Sequence, residues 1–131
     1  MTKTIVGAVL VTVGLAASIA PTAAHHSLSA QFDLSRPFNF TGTLSKILWV
    51  NPHPYLYVNV EEDGKTFEWK VETVGLGALR TRGIGKEAIK VGETYQFRGF
   101  RARNGQANGF LREIEFSDGR KFTLWTGNPN D

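Results

Sequence analysis

The chain of 131 residues has no cysteine, one methionine and three histidines, and its 15 basic side chains stand against 12 acidic ones for a net charge of +3. Without thiols there is no disulfide framework and no cysteine-ligated zinc or iron–sulfur centre. The length admits one domain and excludes a multidomain enzyme. So small a charge excess gives no strong electrostatic grip on nucleic acid or an anionic membrane. No serine stands in a nucleophile elbow and no glycine-rich phosphate loop occurs, which disfavours the commonest hydrolase and nucleotide chemistries. Long apolar runs are also scarce, with one exception at the amino terminus.

That exception runs from Ile5 to Ala20, follows Lys3 and ends at Pro21. A basic start, an apolar stretch and a small-residue exit are the three parts of a secretory signal peptide, and the run falls short of the ~20 residues that span a bilayer. Thr22-Ala23-Ala24 supplies small residues at the last and third-last positions of the leader, so cleavage is expected after Ala24. Residues 1–24 are thus read as a leader and 25–131 as a single domain of 107 residues with a net charge of +2, since only Lys3 is lost among charged groups. A periplasmic or secreted protein with no stable membrane span after cleavage is expected. Its ends, 25–36 and 127–131, are expected to fray.

The mature chain is dominated by short stretches of period two. Phe67, Trp69 and Val71 alternate with Thr66, Glu68, Lys70 and Glu72, as a strand with one buried face requires. Leu56, Val58 and Val60 form a similar stretch before it, and Asp63-Gly64 joins the two as a hairpin. Further strands are expected over 38–50, with a bend or bulge at Gly42, and over 94–102, 110–116 and 121–125. Between the third and fourth, 74–91 reads as one or two short helices around Ala78-Leu79-Arg80 and Lys86 to Lys90. The expected fold is mainly β: a small OB-like Greek-key barrel of five to six strands, with a β-sandwich as its competitor.

Chemistry could reside in the histidines. Cleavage after Ala24 would make His25 the first residue, followed by His26, and a terminal histidine offers its amine and a ring nitrogen to one metal ion. His53, held in Asn51-Pro52-His53-Pro54, could add a third nitrogen to complete a plane suited to Cu(II) or another divalent metal. Prolines 52 and 54 restrict the backbone around it, and Asn51 or Asp33 could orient the ligands from behind. In the plainer reading the terminal histidines are incidental and His53 packs beside Tyr55 or bonds a loop carbonyl. Glu68 and Glu72 share a polar face but stand about 13 Å apart, too far for paired acid and base roles in glycoside hydrolysis.

A second candidate surface comprises Arg98, Arg101, Arg103 and Arg112 around the loop 104–109, with Tyr95, Phe97 and Phe100 nearby. Aromatics among cations suit an oligonucleotide. Export points instead to an acidic glycan, a lipid headgroup or a periplasmic protein partner, and no nucleic acid is expected. Asn39-Phe40-Thr41 matches a glycosylation sequon that bacteria rarely read.

Taken together, His25-His26-Ser27, Phe32-Asp33, Gly42, Asn51-Pro52-His53, Trp69, Leu79-Arg80 with Gly83, Val91-Gly92, Leu111-Arg112-Glu113 and Asp118-Gly119-Arg120 resemble the secreted bacterial family catalogued as domain of unknown function 6152. The resemblance covers essentially the whole mature chain. It implies an exported small β-barrel and carries no established activity or site. The expectation is a non-enzymatic binding or accessory protein, using either the histidines with a metal or the aromatic and arginine-rich face with a protein or glycan.

Overall fold

A computed structural model describes residues 27–127. The expected leader, His25, His26 and the tail from 128 onward lie outside the described residues. The fold is mainly β, with six strands and two short helices: α1 (Leu28–Gln31), β1 (Phe32–Leu48), β2 (Tyr55–Glu62), β3 (Lys65–Glu72), α2 (Leu76–Thr81), β4 (Thr94–Ala102), β5 (Asn108–Glu115) and β6 (Lys121–Thr123). The strands lie in the order β3-β2-β1-β4-β5-β6, and all these neighbours are antiparallel. One further pairing is parallel: Lys70, Val71 and Glu72 of β3 meet Asn108, Gly109 and Phe110 of β5.

Alternation sets which side of each strand is buried. Leu56, Val58 and Val60 of β2, Trp69 and Val71 of β3, and Tyr95 and Phe97 of β4 turn inward, and Leu111 and Ile114 of β5 join them. Phe38 and Phe40 stack, and both rings meet Trp69 at a tilt, with ring centroids 4.8 to 5.4 Å apart. Two glycines make room for these rings. A Cβ at Gly99 would stand 2.8 Å from the Phe38 ring and one at Gly109 would stand 2.9 Å from the Phe100 carbonyl, so neither position accepts a side chain.

The β2–β3 hairpin closes through Asp63 and Gly64, with φ of 51° and 73°. Two successive positive values define the turn whose twist matches paired strands. The register follows, with Glu62 opposite Lys65 and Tyr55 opposite Glu72. In β1 the bulge expected at Gly42 falls instead between Leu44 and Lys46, at Ser45. Gly42 serves a different need, because a Cβ there would meet the Val58 side chain and the Asn59 carbonyl.

Between β3 and β4 a single helix forms. It ends in a left-handed cap at Gly83, where the Gly83 N–H donates to the Arg80 carbonyl and the Ile84 N–H to the Leu79 carbonyl, with Leu79 and Ile84 buried together. The second helix expected over 86–90 is a turn. The Ala88 N–H donates to the Gly85 carbonyl, but the Lys90 N–H donates to the Tyr95 hydroxyl and Ile89 is buried, so tertiary contacts draw the segment away from a helical course. Part of the segment expected to fray, 28–36, lies in α1 and β1, where Phe32 is buried and pairs with Ala102.

Candidate functional site

The parallel contact of β3 with β5 joins elements far apart in sequence, and a groove of about 460 Å³ opens beside it. Gln31 of α1, Tyr55 of β2, Lys70 and Glu72 of β3, Arg103 and Asn108 line it. α1 is tied to its rim, since Arg103 donates from Nε to the Ser29 carbonyl at 2.8 Å and from its backbone N–H to the Gln31 carbonyl at 2.9 Å. The Lys70 ammonium sits 4.2 Å from the centre of the Tyr55 ring. Burial, with the Glu72 charge second, pushes the Tyr55 phenol above its ordinary value.

His53 reaches this groove through Glu72. Its Nδ1 lies 2.5 Å from Glu72 Oε1, and the imidazole side chain is 42% exposed while the carboxylate is 17% exposed. A carboxylate only accepts, so the proton of this bond sits on Nδ1, and Nε2 is the ring nitrogen outside the pair. The loop bearing His53 is held in place, because the Pro54 carbonyl accepts the Thr73 N–H at 3.0 Å. The ring is therefore aimed by a fixed backbone and a fixed carboxylate, with one nitrogen left to bind a proton or a metal.

Neither expected orienting residue hydrogen-bonds the His53 ring. Asp33 Oδ1 accepts from the Ser35 N–H and hydroxyl at 3.1 and 2.7 Å, bonds that hold its carboxyl below the usual range, and Arg103 approaches its other oxygen at 3.9 Å. Asn51 is exposed. Among the described residues Glu72 alone hydrogen-bonds the His53 ring. It ends the second strand of a hairpin whose turn fixes the register, so counting outward from Asp63-Gly64 along both strands places it opposite Tyr55, two residues from His53. Among the described residues no three histidine, aspartate or glutamate side chains converge.

The arginine and aromatic positions do not form one face. Arg98 is engaged with Glu113 at 2.5 Å and Glu115 at 2.9 Å, and Lys121 approaches Glu115 at 3.4 Å. Arg101 lies over the Trp69 ring at 4.9 Å, Arg103 holds α1, and Arg112 is exposed on β5. Tyr95 is buried, with its hydroxyl accepting the Lys90 N–H and donating to Glu93, so it offers no stacking surface. Phe100 packs edge-on against Trp125 at 5.7 Å. Glu68 and Glu72 also diverge, Glu68 accepting from Ser45 on the exposed surface.

A family model described as a family of unknown function, DUF6152, matches residues 11–112. No curated protein matches the chain.

Proposed function

We propose, from the premise that the chain belongs to the DUF6152 family of unknown function, that it is an exported accessory domain that binds Cu(II) or another divalent metal. The carrying observation is the 2.5 Å bond between His53 Nδ1 and Glu72, which leaves Nε2 as the ligand atom in the arrangement that orients metal-bound histidines. The remaining nitrogens would come from His25 and His26 after cleavage behind Ala24. Ser27 directly follows His26, and Ala30, three residues on and about 5 Å along α1, lines the same groove as Glu72. The terminal amine and imidazoles lose their protons near or below neutral pH, so copper meets little competition there.

The scaffold is a small Greek-key barrel of oligonucleotide/oligosaccharide-binding type. Supporting this, β1 to β5 follow one another in a circuit that returns to its start through the parallel β3–β5 contact, and a helix sits between β3 and β4. A protein- or glycan-binding arginine face has less support, since Arg98 and Arg103 are engaged within the fold.

The test is purification through the native export route, reading of the first residue by mass spectrometry, and Cu(II) titration. A terminus at His25 and at least tenfold weaker binding in His53→Ala support the proposal. A different terminus, or an affinity that His53→Ala leaves unchanged, overturns it.

A further inference from the structure

Among the described residues, β3 has a strand on each side only in its last part. In the β2–β3 hairpin the closing pair Glu62 and Lys65 bond each other, so the backbone groups of Lys65, Phe67, Trp69 and Val71 point to β2 and those of Thr66, Glu68, Lys70 and Glu72 point away from it. Lys70 and Glu72 use theirs on the β5 side, where the Lys70 N–H donates to the Ala107 carbonyl at 3.0 Å. Among the described residues no strand meets the outward groups of Thr66 and Glu68. This stretch is a sheet edge.

The side chains beside the edge are of two kinds. On the inward side Phe67 is 43% exposed, two residues before the buried Trp69 on the same face of the strand. On the outward side and at the hairpin tip stand Glu61, Glu62, Asp63 and Glu68, all exposed, against two cations, Lys65 at the tip and Lys70 two residues beyond Glu68. A strand added here would place alternate residues against Phe67 and against Glu68, because side chains alternate across a sheet.

We infer that the 66–68 edge of β3 is a docking site for an extended cationic peptide that alternates lysine or arginine with aliphatic or aromatic residues. Main-chain bonds to Thr66 and Glu68 would give affinity, and the alternation would give selectivity. Charge decides between occupants. A second copy paired through the same edge would bring two acidic hairpins and two Glu68 side chains together, whereas a basic strand neutralises them. The inference is independent of the metal reading, since none of these residues touches His53.

The probe is the synthetic peptide Lys-Val-Lys-Phe-Lys-Val-Lys, titrated into the purified protein with amide hydrogen exchange recorded. Expected are one-to-one binding, at least tenfold slower exchange at Thr66 and Glu68, and at least tenfold weaker binding to Phe67→Lys and to Thr66→Pro. Thr66→Pro deletes one outward N–H, and Phe67→Lys keeps the test informative should the proline disturb the strand. Four outcomes overturn the proposal. They are no binding, equal binding by both variants, equal binding of the same peptide N-methylated on alternate residues, and a protein dimer that the peptide leaves intact and Thr66→Pro dissociates.

Discussion

Residues 70–72 of β3 have β2 on one side and β5 on the other, whereas, among the described residues, 65–69 have β2 alone. The doubly paired half carries Lys70 and Glu72 into a polar groove and holds a histidine by its carboxylate. The singly paired half leaves main-chain groups unmatched and exposes Phe67. One strand of regular alternation thus gives two surfaces of different chemistry. What separates them is the partner beyond the edge, since a second neighbour fixes side chains in place and its absence leaves a template.

The largest expected effect comes from separating the paired half. Gly109 lies opposite Val71, and a Cβ there would strike the Phe38 ring and approach the Phe100 carbonyl at 2.9 Å. A ring can rotate away, but a strand carbonyl cannot move without breaking its ladder. Gly109→Val is expected to cost at least about 3 kcal/mol, measured by denaturant unfolding. A cost below about 1 kcal/mol would mean that the β3–β5 contact is far looser than its geometry implies.

Next in size is Glu72→Gln, which keeps the side chain's shape and removes its charge. If Glu72 orients a metal-bound His53, the loss is expected to be 10- to 100-fold in Cu(II) affinity, on the order of 1.4–2.7 kcal/mol. Titration of the variant beside His53→Ala reads it, and an unchanged affinity would reduce the pair to a structural contact.

The same variant sharpens the electrostatics of this half. Burial raises the Tyr55 phenol above 10.0, and the Glu72 charge adds to that. A raised value means that the folded state disfavours phenolate, so the contribution is complete below the unfolded value and is lost as pH rises through the folded one. Tyr95 shifts the same way, chiefly by burial. Stability is expected to decline above pH 10.0, followed by circular dichroism. Tyrosine absorbance should show Tyr55 ionising at a lower pH in Glu72→Gln. A shift to higher pH would contradict the placement of the two groups.

Much of the fold was legible because its signals are local. Alternation, apolar runs and turn signals together marked all six strands within a few residues, apart from the leading part of β1, and Asp63-Gly64 announced its turn. The helix at 76–81 could be read near Ala78-Leu79-Arg80, but 86–90 could not be distinguished from a helix by composition, because tertiary burial of Ile89 decides its course. The β3–β5 contact was hidden, since nothing in residues 70–72 or 108–110 specifies a neighbour 38 positions away. His53 was visible as a ligand type. Its partner was not, because Glu72 looks like any other polar position of its strand until the register is counted.

The smallest expected effect tests the open half. Phe67 is 43% exposed and its backbone bonds go to β2, so Phe67→Lys removes little packing and no ladder bond. Its unfolding free energy should stay within about 0.5 kcal/mol of the parent, as for surface changes generally. Trp69→Ala, two residues on and 4% exposed, should lose about 3–5 kcal/mol by the same measurement. The pair separates use from support: an aromatic that contributes little to stability while standing beside unmatched main-chain groups has its energy still to gain from a partner. Should Phe67→Lys destabilise the protein as much as Trp69→Ala, Phe67 belongs to the core and the edge of β3 is closed.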